Sequence, residues 1–96
     1  MRIAVGCDHK GLKVKTLIVE GLRQAGHEVH DFGSFDSEPV DYPDIACGVA
    51  ESLAKQDLER GILICGTGIG MSIAANKVYG VRAALCHDVA SARLAR

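Results

Sequence analysis

The chain has 96 residues, 11 Lys and Arg against 12 Asp and Glu, and a formal charge of -1, so no basic field draws nucleic acid or an anionic membrane, and any anion must be held by a local site. Its length suits one small domain over residues 1–96 and excludes a second, while 48% hydrophobic and 24% charged residues exclude an extended disordered chain. The longest apolar runs, such as Ile62–Cys65, fall far below the roughly 20 residues that cross a bilayer.

Strand-like and helix-like segments alternate along the chain, the signature of an α/β fold with a parallel sheet. The first strand is expected over Arg2–Gly6 and its helix over Lys10–Ala25, with Val14, Leu17, Ile18, Gly21, Leu22 and Ala25 as the buried stripe and Gly26 as C-cap. A short strand over Glu28–Asp31 leads into a polar loop of Ser34, Asp36, Ser37, Glu38 and Pro39. A second helix starts near Pro43, with Ile45, Ala46, Val49, Ala50, Leu53 and Ala54 on one face. Gly61–Cys65 is an unbroken apolar run, the pattern of a central strand buried on both faces.

A third helix is expected over Ile69–Val78, closed by Gly80, and a fourth strand over Val81–Cys86. Asp88 is then the N-cap of a helix that reaches Arg96 with no Gly, Asn or Pro stop signal. That missing signal leads to the expectation that the domain lacks its C-terminal part. The N-terminus has no secretory apolar region with a cleavage site, which points to the cytoplasm.

Ligands of open parallel sheets bind beyond the carboxyl ends of the strands. Three loops stand there: Cys7-Asp8-His9, Cys65 to Met71, and His87-Asp88. The second carries the strongest signal. In Gly66-Thr67-Gly68-Ile69-Gly70 the glycines let backbone N–H groups approach an anion, and the helix that follows adds its dipole. Cys65 opens this loop and reads equally well as a thiol activated by the helix N-terminus or as a structural cysteine ending a strand.

Several other motifs fail. Met71 stands where GxGxxG needs its third glycine, and Thr67 and Leu12 stand where a P-loop needs Lys. No arginine sits six residues after Cys65 or Cys7, which disfavours a cysteine phosphatase. Cys7, Cys47, Cys65 and Cys86 have no CxxC spacing and are expected as free thiols without a metal. Taken singly, Asp8 reads as a helix cap and His9 as a loop residue, while their place at a strand end also suits sugar hydroxyls and a phosphate. Tyr42 either packs on a sugar face or staples the start of its helix, with the staple preferred.

The blocks Val5-Gly6-Cys7-Asp8-His9-Lys10-Gly11, Asp41-Tyr42-Pro43-Asp44, Gly61 to Lys77 and Arg82 to Asp88 together resemble the type B ribose-5-phosphate isomerases. The resemblance implies a Rossmann-like three-layer αβα sandwich with four βα units, the last incomplete. It also implies an aldose–ketose isomerase that interconverts ribose 5-phosphate and ribulose 5-phosphate through an enediolate, without metal or other cofactor. By the same resemblance Cys65 is the base, and Gly66, Thr67, Gly68, Ile69 and Gly70 form the anion cradle. Asp8 and His9 bind the sugar phosphate. The implied partners are the substrate and a second copy of the chain that shares the site, with a His-Asn pair and further basic residues expected beyond Arg96. Related galactose-6-phosphate isomerase subunits share the fold, so galactose 6-phosphate and allose 6-phosphate are alternative substrates. The competing readings are a non-catalytic sugar-phosphate-binding module and an inactive assembly fragment.

Overall fold

A computed structural model of the chain describes residues 1–35 and 39–96; Asp36, Ser37 and Glu38 of the expected polar loop lie outside the described residues. The elements in chain order are β1 (Arg2–Cys7), α1 (Leu12–Gln24), β2 (Glu28–Asp31), α2 (Tyr42–Ala54), β3 (Arg60–Ile64), α3 (Ile69–Asn76) and α4 (Val89–Ala95). The strands form one parallel sheet in the order β2-β1-β3. Travel from β1 to β2 and back across to β3 reverses direction, so right-handed crossovers put α1 on one face and α2 on the other.

The two cores follow from the period-2 alternation of β1. Ile3 and Val5 point to α1 and pack with Val19, Leu22, Val29, Ile62 and Ile64. Ala4 points the other way, to Val49 and Leu58 with Phe32, Leu53 and Leu63. Fully buried valines such as Val5 and Val49 each contribute on the order of 1.5–3 kcal/mol. Helix α3 packs on α2 and buries Met71 and Ala75. The result is the expected Rossmann-like α/β arrangement, with helices on both faces of a parallel sheet.

Local chemistry sets several element ends. Gly26 at φ +93 closes α1, where its N–H and that of His27 reach the carbonyls of Arg23 and Leu22, the paired bonds of a Schellman motif. At α4, Asp88 Oδ1 accepts from Ser91 N at 2.7 Å and Ser91 Oγ accepts from Asp88 N at 3.3 Å, a reciprocal capping box. These contacts hold the Asp88 carboxyl below its ordinary range, the Ser91 backbone N–H acting most and the Ser91 hydroxyl next.

Three expectations are corrected. First, the buried face of α1 is turned: Val14 (49% exposed) and Leu17 (69%) face out with Gly21 and Ala25, while Lys15 and Val19 face in. The Lys15 stem lies inside and its Nζ reaches Asp31 Oδ2 at 2.8 Å and the Ser34 carbonyl at 2.6 Å. A lysine so paired takes a core position that polarity alone assigns to solvent. Second, β1 is the central strand; among the described residues β3 is bonded on one side only, and its residues are exposed or half-buried. Third, Val81–Cys86 is not a strand, so three βα units with strands are present among the described residues. Burial along that segment still alternates, with Val81, Ala83 and Leu85 turned partly in and Arg82, Ala84 and Cys86 out. Between it and β3 lies a cavity of about 1060 Å³. Alternation reports which way side chains face, whereas a ladder also needs a backbone edge within about 5 Å.

Candidate functional site

The three βα loops rise from the carboxyl edge of the sheet. Because β1 and β3 are adjacent and parallel, with Cys7 paired to Ile64, the loop that starts at Asp8 and the loop that starts at Cys65 stand side by side. Asp8 N donates to the Ile64 carbonyl at 3.1 Å and extends the ladder to that edge. The chain then leaves β1 towards one face, into α1, and β3 towards the other, into α3. Such a divergence opens a crevice between neighbouring strand ends. A cleft of about 430 Å³ lies there, lined by Asp8, Lys10, Tyr42, Cys65, Gly66, Thr67, Ile69 and Gly70, within the size range of small-ligand sites.

Cys65 is half-buried at the mouth of the cleft. Its Sγ accepts the Gly68 N–H at 2.9 Å, so the sulfur points into the glycine turn rather than into the core. Gly68 is the N-cap of α3 at φ +79, a left-handed conformation that favours glycine. The Thr67 hydroxyl accepts from Ile69 N at 3.2 Å and tightens the turn. Gly70 and Met71 follow in the first turn of α3, where N–H groups have no partner within the helix. Gly70 also lies against the ring of Tyr42: a Cβ there would stand 2.6 Å from Tyr42 Cζ and 2.8 Å from its hydroxyl.

The other end of the cleft is built by the β1 loop. Asp8 is buried, and its Oδ1 accepts from the N–H groups of Lys10 and Gly11, each at 3.0 Å. Asp8 is therefore not the helix cap expected from sequence: α1 has Gly11 as N-cap without a side-chain bond, and Asp8 instead closes the turn ahead of it, with its second carboxylate oxygen outside that turn. Lys10 is the cation of the lining, its side chain passing near Gly66. His9 is half-buried beside the cleft and is not among its lining residues. Its Nδ1 is buried and, among the described residues, without a hydrogen-bond partner.

Asp8, Cys65, Gly66, Thr67, Ile69 and Gly70 are thus brought together, with Gly68 beneath as the donor to sulfur and His9 to one side. Sequence reasoning passed over Lys10, whose signal was its place beside Asp8 and His9. For Tyr42 it preferred a turn staple over a wall for a sugar face; the signal for the site was a rare aromatic at a helix start on the carboxyl edge.

The remaining cysteines differ from Cys65. Burial pushes the Cys7 thiol above its usual range, and its contact with the Ser34 carbonyl and the Lys15 ammonium offset this only in part. Cys47 is half-buried on α2 and Cys86 exposed; all four are free thiols. Among the described residues no three His, Cys, Asp or Glu side chains come together to hold a metal, and no helix is long and apolar enough to cross a membrane.

A family model described as Ribose/Galactose Isomerase matches residues 3–96. The chain is 52% identical over 96 residues to the ribose-5-P isomerase B of Listeria innocua, covering 100% of this chain and 65% of that one. It is 50% identical over 95 residues to the ribose-5-phosphate isomerase B of Escherichia coli, covering 99% and 64%. The solved structure of the Clostridium thermocellum ribose-5-phosphate isomerase B superposes with a TM-score of 0.98 at 50% identity, over 100% of this chain and 65% of that one. The chain therefore spans about two thirds of the length of the relatives it matches.

Proposed function

Because this chain belongs to the ribose/galactose isomerase family, we propose that it carries the Cys65 side of an aldose–ketose isomerase site for a phosphorylated sugar, ribose 5-phosphate first. The observation that supports this most is the Cys65 sulfur held at 2.9 Å by Gly68 N at the mouth of a cleft lined by the glycine turn. Cys65, as thiolate, takes the proton from carbon 2 of the open-chain aldose. The electron pair moves into the carbon 1–carbon 2 bond, and the negative charge comes to rest on the carbonyl oxygen. Transfer of the hydroxyl proton from oxygen 2 to oxygen 1 and return of the thiol proton to carbon 1 give the ketose, so atoms and charge balance without an oxidant.

The free N–H groups of the glycine turn are donors for the developing oxyanion, the kind of fixed dipole that stabilises an enediolate. Asp8 and His9 bind the sugar phosphate, with Thr67, Ile69 and Gly70 completing the cradle. Lys10 adds a cation and Tyr42 a flat apolar wall for a carbon face. A homodimer, a cytoplasmic setting and the assignment of residues 1–96 to one domain belong to the same proposal; the homodimer rests on the family resemblance.

In deuterated water with ribose 5-phosphate the protein should release ketose labelled at carbon 1. Cys65→Ala should slow turnover about 10²–10⁴-fold, the usual contribution of a positioned base; unchanged turnover would remove Cys65 from that role. Binding without any label exchange would favour the non-catalytic module. Because the family description names galactose as well as ribose, galactose 6-phosphate is the second substrate to compare, by its kcat/KM.

A further inference from the structure

We infer that Asn76, at the last position of α3, is a positioning residue for the Cys65 cleft, which it reaches through Ala83, Leu85 and Gly68. The inference rests on the reading of Cys65 as the working thiol. After Asn76 the chain turns through Gly80 at φ +87 and runs back alongside α3 as the extended segment Val81–Cys86, which no strand pairs among the described residues. The Asn76 side chain does for this segment what a neighbouring strand would do. Its Oδ1 accepts Ala83 N at 2.8 Å and its Nδ2 donates to the Ala83 carbonyl at 2.8 Å. The same Nδ2 also donates to the Ser72 carbonyl, one turn back, at 2.9 Å. A carboxamide sets a donor and an acceptor side by side on separate atoms, which matches the N–H and C=O of one residue; a carboxylate keeps the acceptor alone, and glutamine is one methylene longer.

Pinning Ala83 sets the residue two positions on, because side chains of an extended segment repeat on one side every second residue. Leu85 accordingly turns in and rests on the glycine turn, its Cδ1 2.6 Å from where a Cβ of Gly68 would stand. Gly68 is the residue whose N–H holds the Cys65 sulfur. A turn of three glycines has little stiffness beyond its Thr67 bond, so the contact on Gly68 from outside helps keep that N–H on sulfur. The clamp at Ala83 supplies the contact, and Leu85 transmits it.

The four free cysteines report on this directly. With iodoacetamide as probe and alkylation followed cysteine by cysteine by mass spectrometry, Asn76→Ala should lower the Cys65 rate roughly fivefold, equivalent to about 1 kcal/mol for the lost N–H donor to sulfur. Buried Cys7 should stay unreactive, which excludes general unfolding, and Cys47 on α2 should not change. Leu85→Ala should give the same decrease with the clamp intact, and Asn76→Asp, which keeps one of the three bonds, should lie between. A Cys65 rate equal to or above wild type in Asn76→Ala, a change in step with Cys7, or an effect absent from Leu85→Ala overturns the inference. Turnover is not part of this readout, so loss of the base role for Cys65 would be seen separately, in the Cys65→Ala assay.

Discussion

The two flanks of β1 are stabilised in different ways. On the β2 side the sheet is paired over Arg2–Val5 and Glu28–Asp31, α1 covers it, and Lys15, 3% exposed, is locked between Asp31 and the Ser34 carbonyl under the Phe35 ring. Beyond β3 the chain has a cavity, an extended segment held through one asparagine, and α4, which buries none of its residues. The first flank is held by packing and a desolvated ion pair, the second by local capping and side-chain hydrogen bonds. Helix and turn signals therefore suffice to shape a segment, but only burial against a partner makes it part of the core. The candidate cleft lies at the seam: Asp8 comes from the packed side and the glycine turn touches the loosely held one.

The contrast can be broken most strongly at Asp31. Asp31→Ala strands the buried Lys15 ammonium and should cost about 3–5 kcal/mol, read from the midpoint and slope of urea unfolding; a loss below 1 kcal/mol would mean that Lys15 finds solvent and that the two flanks are alike. An intermediate effect is expected from acid on the other flank. The Asp88 carboxyl, lowered by its bonds to Ser91, adds stability above its unfolded-state range, and this is lost as pH falls through its depressed folded value. Helix α4 should then lose Ser91 amide protection while β1 and α1 keep theirs, as hydrogen exchange by NMR would report. If all elements melt together, α4 belongs to the core cooperative unit. The smallest effect is expected at Leu94, 87% exposed on α4: Leu94→Ser should change stability by no more than about 0.5 kcal/mol, and a larger loss would show that α4 is docked.

Much of this was legible along the chain. The bounds of β2, the glycine stop at Gly26, the Asp88 cap and the Cys65 turn are local facts, settled by dihedral preference and by bonds a few residues long. Asp8 was legible in part: its place at a strand end pointed to the cleft, but its carboxylate closes the turn at Lys10 and Gly11 and does not cap α1, because the helix starts only at Leu12. Tyr42 was half legible: its helix start was clear, but its ring lies against Gly70, far away in sequence.

By itself, then, the sequence determined the kind of fold and the loops in which chemistry can sit, since periodicity and glycine placement act over a few residues. Tertiary structure alone decided which strand is central, that Lys15 displaces Val14 and Leu17 from the buried face of α1, and that Val81–Cys86 answers to Asn76 instead of to β3. Those outcomes depend on which distant groups come within hydrogen-bonding and van der Waals reach, and no local pattern encodes that distance.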